Sequence, residues 1–361
     1  MRKLPYPLLA SEYDERVTDP TPPSPETPQS SSLPTPGQPT PPQSSEDHGI
    51  EWILWGRGGL RAGWGIAAFV LLFILFVIGI GIAMHALFHW KPTPGSFTVS
   101  SGLISEALQL SAVFLTTLVL ALVERRSPFS YGLQGPSRAP RFLGGLVSGF
   151  AAISALVLVL WKAGYLVFDG QPLHGDAILT YGLGWGLVFL GTGFFEESLL
   201  RGYVQFTMTR GVGFWWGALL FSFLFGFIHS TNPGESPVGL FQAGFVGLVF
   251  CLSLWYTGSL WWAIGFHAAW DWGESYFYGT SDSGLIAHGH LFAEHPVGNI
   301  LLSGGLTGPE GSLFGVPLLL LVALLMALWW GRRGPAAFAG QGWQPAWLRE
   351  KRLAQAAGLE A

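Results

Sequence analysis

Charge is scarce along this chain: Lys, Arg, Asp and Glu make up 11% of its 361 residues, about half the share of an ordinary soluble domain. Half of the residues are hydrophobic and the mean hydropathy is +0.41, so the missing charge points to a chain that lives in lipid. There is one cysteine, Cys251, which excludes an intramolecular disulfide and any cysteine-based metal centre. Lying in an apolar stretch, it is expected to be a packed core thiol. No basic cluster is present, so nucleic acid is not an expected partner. The N-terminus lacks the apolar h-region of a signal peptide, because Arg2 and Lys3 run into Leu-Pro-Tyr-Pro and then Glu12, Asp14, Glu15 and Arg16. No cysteine lies near the C-terminus, so the chain is not expected to carry a prenyl group.

What is abundant fits the same setting. There are 17 tryptophans and 50 glycines; tryptophan marks membrane interfaces and glycine permits close helix contact. Apolar runs of about 20 residues, enough to span a bilayer, fall at about 64–89, 103–123, 143–168, 180–207, 213–230, 237–256, 258–277 and 312–331. The expected fold is therefore an all-α polytopic membrane protein with about eight transmembrane helices. Its N-terminal tail, rich in Pro, Ser and Thr, buries too little apolar surface to fold. The expected organisation is a disordered cytoplasmic tail over 1–50, two transmembrane helices over 51–128, a core over 129–277, a non-cytoplasmic loop over 278–311, and a last helix with its tail over 312–361. Residues 347–359, with Arg349, Lys351 and Arg352, read as a short interfacial helix or a disordered tail. Arg57, Arg61, Arg125, Arg126, Arg138, Arg141, Arg210, Arg332 and Arg333 all fall in alternate loops. That bias predicts a plasma or inner membrane protein with both termini cytoplasmic.

Against this background a few ionisable residues stand out. Glu196, Glu197 and Arg201 lie in the fourth apolar run, His229 ends the fifth, and His267 and Asp271 lie in the seventh. Ionisable groups in membrane helices are costly and by default mark a functional site facing the protein interior. Glu197 and Arg201 share a helix face at i, i+4, as do His267 and Asp271. Counted at 1.5 Å per residue from the nearest interface, Glu196 and His229 lie ~20 Å deep and His267 ~14 Å deep, near the middle of a ~30 Å hydrocarbon core. A purely structural account is open for each alone: a Glu–Arg tie between helices, or a histidine bonded to a neighbouring helix. Glu196 is the hardest to explain that way.

Three motifs in order, Glu196-Glu197-x-x-x-Arg201, Phe225-x-x-x-His229 and His267-x-x-x-Asp271, resemble those of the CPBP intramembrane proteases. That family includes the type II CAAX prenyl endopeptidases and the bacterial Abi proteins. Trp215-Trp216-Gly217 before the second motif and Gly258-Ser259-Leu260-Trp261 before the third resemble it too, and the likeness covers about residues 129–277. It implies a peptidase whose site lies within the membrane and opens to the cytoplasm. Glu196 and His229 would activate the attacking water, His267 and Asp271 would stabilise the oxyanion, and Arg201 would hold Glu197. Better-known CAAX endopeptidases have asparagine where this chain has Asp271.

Amide hydrolysis needs a base for water and donors for the developing oxyanion, and these residue types supply both without a serine or cysteine nucleophile. The expected function is an intramembrane endopeptidase acting on membrane-associated peptides or proteins. Glu196, His229 and His267 are also a ligand set known for catalytic zinc, so zinc is the alternative to a metal-free glutamate mechanism, which is preferred. His288, His290, Glu294 and His295 read as a solvated loop, with metal binding the alternative. Two other function classes remain: a proton-coupled transporter, since midplane Glu, His and Asp also build relays, and a non-catalytic scaffold or immunity-type membrane protein.

Overall fold

The computed structural model describes residues 54–56, 59–91, 97–334 and 336–339. The expected N-terminal tail and the helix expected at 347–359 lie outside the described residues. A two-residue ribbon, β1 (Trp55–Gly56) with β2 (Gly59–Leu60), leads into α1 (Ala62–Phe88), followed by α2 (Val99–Val123) and α3 (Arg138–Lys162). Next come β3 (Leu166–Gly170), α4 (Asp176–Arg201), α5 (Tyr203–Val212), α6 (Phe214–Ile228) and α7 (Pro237–Thr257). Helix α8 (Trp261–Asp271) runs on as a π-helical turn over Trp272–Tyr278. Strand β4 (Ala293–Pro296), the short α9 (Ile300–Ser303) and α10 (Gly315–Gly331) complete the described order.

Helix ends follow local chemistry. Thr98 and Ser101 form a reciprocal capping box at the start of α2. Ser236 caps α7 with Pro237 in its first turn, and Gly258 closes that helix in the left-handed region at φ 63°. Cys251 is fully buried, as expected of a core thiol.

Among the described residues six helical segments, not about eight, are long and apolar enough to cross a membrane: α1, α2, α3, the nearly continuous α4–α5, α6 with its following turn, and α7. The chain is thus a multi-pass all-α membrane protein. The seventh expected span is instead the 11-residue α8 with its seven-residue π-helical continuation, and the eighth is the 17-residue α10. The seventh element differs from a lipid-facing span because it is sheathed by protein and carries His267, Asp271 and Glu274. Ten of the eleven residues of α8 are buried.

Glycine makes that sheath tight. A side chain at Gly145 or Gly149 of α3 would run into the backbone of Trp262 and Phe266 on α8, and one at Gly265 of α8 into the backbone carbonyl of Phe142. The two helices therefore pack backbone to backbone, as small-x-x-x-small pairs allow. On its other flanks α8 meets α4 and α7, and the core there joins Ile153, Leu156 and Leu160 of α3 to Trp262, Phe266 and Trp270 of α8 and Phe250 of α7. By contrast α1 leaves most of its apolar surface uncovered, as a lipid-facing helix does.

The segment after α8 is not a simple solvated loop. Strand β4 pairs antiparallel with β3 through Val167 with His295 and Phe168 with Glu294. Thr280, Ser303, Thr307 and Ser312 are buried, so this segment folds back onto the ends of the helices.

Candidate active site

The site is assembled around the imidazole of His267, presented by α8. Its Nδ1 lies 3.2 Å from Oε1 of Glu197, and its Nε2 lies 3.5 Å from Oε2 of Glu196. Consecutive residues of α4 thus address the two nitrogens of one ring. Asp271, one turn on, brings Oδ2 within 3.6 Å of the same Nε2. Phe225 edges and Phe250 stacks against the ring, at centroid separations of 5.9 and 5.4 Å, and fix its plane.

Glu197 and Arg201 are both fully buried and joined by a 3.2 Å ion pair. Arg201 also stands over the Phe225 ring, 4.5 Å from its centroid. Gly247 of α7 makes room for it, since a side chain there would strike Nη2 of Arg201. A carboxylate so held is a fixed acceptor for Nδ1–H of His267, which leaves Nε2 to face the cavity.

His229 follows α6, and its Nδ1 is bonded to the carbonyl oxygen of Phe225 at 2.7 Å, leaving Nε2 for the cavity. That cavity, about 670 Å³, is lined by Glu196, His229, His267 and Asp271. All six sequence-identified residues therefore converge: Glu196, Glu197, Arg201, His267 and Asp271 through direct contacts, and His229 through the shared wall.

Four acidic residues near this site were not singled out from the sequence. Glu106 of α2 lines the same cavity, and its carboxylate Oε2 is buried without a hydrogen-bond partner. An acid in an apolar helix was a signal in plain view there. Glu274, Asp282 and Glu310 form a group whose ligand atoms all lie within 4.8 Å of one another, a spacing able to hold a metal ion; Asp282 and Glu310 also line the cavity. Nothing in the sequence pattern announces that trio, because it joins a helix end to the turn just after it and to a second turn near residue 310. The loop histidines take other roles: His295 pairs with Asp169 at 2.9 Å, and Nδ1 of His290 bonds the carbonyl of Ala287.

The donor set also bears on zinc. The 3.5 Å between Nε2 of His267 and Oε2 of Glu196 is close to the ligand–ligand edge around a tetrahedral zinc with bonds of ~2.0–2.2 Å. A carboxylate on the other ring nitrogen, here Glu197, is the usual support for a metal-bound imidazole. Glu196 and His267 alone are therefore at a spacing that zinc allows; with His229 they do not gather three ligand atoms within 4.8 Å of one another, as Glu274, Asp282 and Glu310 do among the described residues.

Over residues 177–273 the chain matches the family model described as Type II CAAX prenyl endopeptidase Rce1-like, so a protease domain of that kind is present there. The match takes in all six converging residues and leaves out Glu106, Asp282, Glu310 and, by one position, Glu274. No curated protein matches the chain.

Proposed function

We propose that this chain is an intramembrane endopeptidase that hydrolyses peptide bonds of membrane-associated substrates in the cavity between α2, α4, α6 and α8. The observation that carries this reading is the placement of Glu196, Asp271 and Glu197 around one imidazole that faces a cavity shared with His229. Its location, by the arginine bias of the alternate loops, is a plasma or inner membrane with both termini cytoplasmic.

In this mechanism a water sits between Glu196 and Nε2 of His229. Glu196 takes a proton from it as the oxygen attacks the scissile carbonyl carbon, and the carbonyl π-pair moves onto oxygen. With protons on both nitrogens, His267 donates Nδ1–H to Glu197 and Nε2–H to the oxyanion. Asp271 adds a second donor when it carries a proton and otherwise orients His267. The intermediate collapses as Glu196 returns its proton to the departing amine, which balances the reaction as one water consumed per peptide bond. Preorganisation comes from Arg201, which holds Glu197 and through it the ring. The zinc alternative requires His229 to come within ligand distance of Glu196 and His267, where bound zinc would supply an acidified water.

The test is cleavage of a quenched fluorescent membrane-peptide library by the purified protein in nanodiscs, for wild type and Glu196→Gln, each with and without a zinc chelator. Loss of the base is expected to cost ~10²–10⁴-fold in turnover with thermal stability retained. Full activity in Glu196→Gln would end the catalytic assignment. Chelator-sensitive activity would move the mechanism to zinc.

A further inference from the structure

We propose that Glu274, Asp282 and Glu310 bind one hard divalent cation of the calcium, magnesium or manganese class, and that the ion latches the segment after α8 onto the end of that helix. The site lies beside the glutamate–histidine centre, sharing its cavity through Asp282 and Glu310, and does not depend on the endopeptidase reading. It begins with geometry: three carboxylates reach within 4.8 Å of one another, one from the π-helical turn and two from the segment that returns toward it.

The second observation is Glu274 itself. Its side chain is fully buried, it belongs to the trio by position, and neither of its oxygens has a hydrogen-bond partner. The other two members are partly satisfied. Asp282 accepts from Ser275 Oγ at 2.9 Å, and Glu310 accepts from Trp270 Nε1 at 2.9 Å and from Ser283 Oγ at 2.8 Å. These bonds orient the acids and leave Glu274 with both oxygens unspent.

Charge compensation from lysine or arginine is missing. Among the described residues no lysine or arginine pairs with any of the three, and residues 278–310 contain none. A buried carboxylate without a partner, as Glu274 is, is costly, and the two half-buried acids beside it repel it besides. A divalent ion removes that cost by supplying the absent positive charge. The donors are all oxygen, which suits calcium, magnesium or manganese and not the softer zinc or copper. An access route exists, since Asp282 and Glu310 line the large cavity.

The ion would act on α8 through Glu310. Trp270 donates to Oε1 of Glu310 and immediately precedes Asp271 in the chain. Fixing Glu310 against Glu274 therefore fixes the turn of α8 that carries Asp271. The bound ion is a structural positioner, one step removed from the cavity chemistry.

Terbium(III) replaces calcium at oxygen sites and is excited through a nearby indole, and Trp270 touches the site. The full-length protein in zwitterionic nanodiscs is titrated with terbium and back-titrated with calcium, magnesium and manganese chlorides, for wild type and Glu274→Gln. Thermal melting is followed with each ion and with EDTA. The expected result is saturable one-to-one luminescence in wild type, displaced by at least one of the three ions, with at least tenfold weaker uptake by Glu274→Gln. Wild-type melting should rise with the displacing ion and fall with EDTA. Should Glu274→Gln fail to fold, Asp282→Asn takes its place, and the wild-type melting comparison stands alone. No saturable uptake by wild type, equal uptake by the variant, or melting indifferent to ion and chelator would each overturn the site and leave protons to neutralise the trio.

Discussion

Two clusters of buried and half-buried ionisable groups lie close together in this protein and are built on opposite principles. Around His267 the charges alternate, with Arg201 and the imidazole set among Glu196, Glu197 and Asp271. At Glu274, Asp282 and Glu310 every member is acidic. The first cluster sits on membrane helices, and its ion pair is local in sequence. The second closes only when the segment after α8 folds back. A self-compensated cluster is preorganised by the chain alone, whereas a single-sign cluster needs something from outside the chain. The sign of the response to removing one charge should therefore differ between them.

The strongest way to break that contrast is Arg201→Ala. It leaves Glu197 buried with no cation on its own helix, and such a loss costs ~3–5 kcal/mol. A large fall in the melting temperature of the purified protein is expected, with Glu197→Gln in the same background recovering part of it. A melting temperature unchanged by Arg201→Ala would mean that the pair does not compensate as its geometry implies. Gly247→Ala should give a smaller loss through the same group. The new methyl strikes Arg201, and overpacking of this kind costs ~1–3 kcal/mol. Pairing Gly247→Ala with Arg201→Ala in a double-mutant cycle should show clear non-additivity, since both act on one contact.

Glu274→Gln sharpens the comparison from the other side. In the presence of EDTA it removes a repelling charge, so melting should be unchanged or raised, the opposite sign to Arg201→Ala. With the binding ion present the order should invert, because wild type gains the latch and the variant does not. A fall in melting under EDTA comparable to that of Arg201→Ala would show that Glu274 has a compensating partner within the chain.

The two clusters also differ in how far they could be read without a structure. Glu196, Glu197 and Arg201 announce themselves because charge is rare in apolar helices, and His267 and Asp271 share a face at helical spacing. Their convergence was legible, as was the multi-pass helical class. Glu106 obeys the same rule, but a lone acid has no helical spacing to reinforce it. Eight spans became six because hydrophobic length reports apolar surroundings without distinguishing lipid from protein: α8 is enclosed by α3, α4 and α7, and α10 stops at 17 residues. The acidic trio was illegible for a different reason. Asp282 and Glu310 are separated by a glycine-rich segment whose path is set by burial of Ser283, Ser303 and Thr307, contacts with no local period.

The smallest expected effect lies at the β3–β4 ribbon, where charge meets solvent and compensation is weakest. His295 is exposed, and its hydrogen bond to Asp169 raises its pKa above the ordinary histidine value. Glu294, next to it, is pushed up from 4.5 to about 7 by burial. Both groups hold a proton more tightly in the folded ribbon than in the opened one. For Glu294 the stabilisation is full below pH 4.5 and is lost as the pH rises through about 7. For His295 it is full below the ordinary histidine pKa and is lost as the pH rises through the raised one. The two act in the same direction, so amide protection factors over β3 and β4 should fall modestly from pH 5 toward alkaline pH. His295→Ala should remove the upper part of that fall, and Glu294→Gln the lower part. Protection that rises with pH would contradict both assignments, and protection that is flat in wild type would mean that the ribbon does not open under local control. Melting of the helical core should be little affected by either substitution, because the ribbon's pair exchanges its partner for water at small cost.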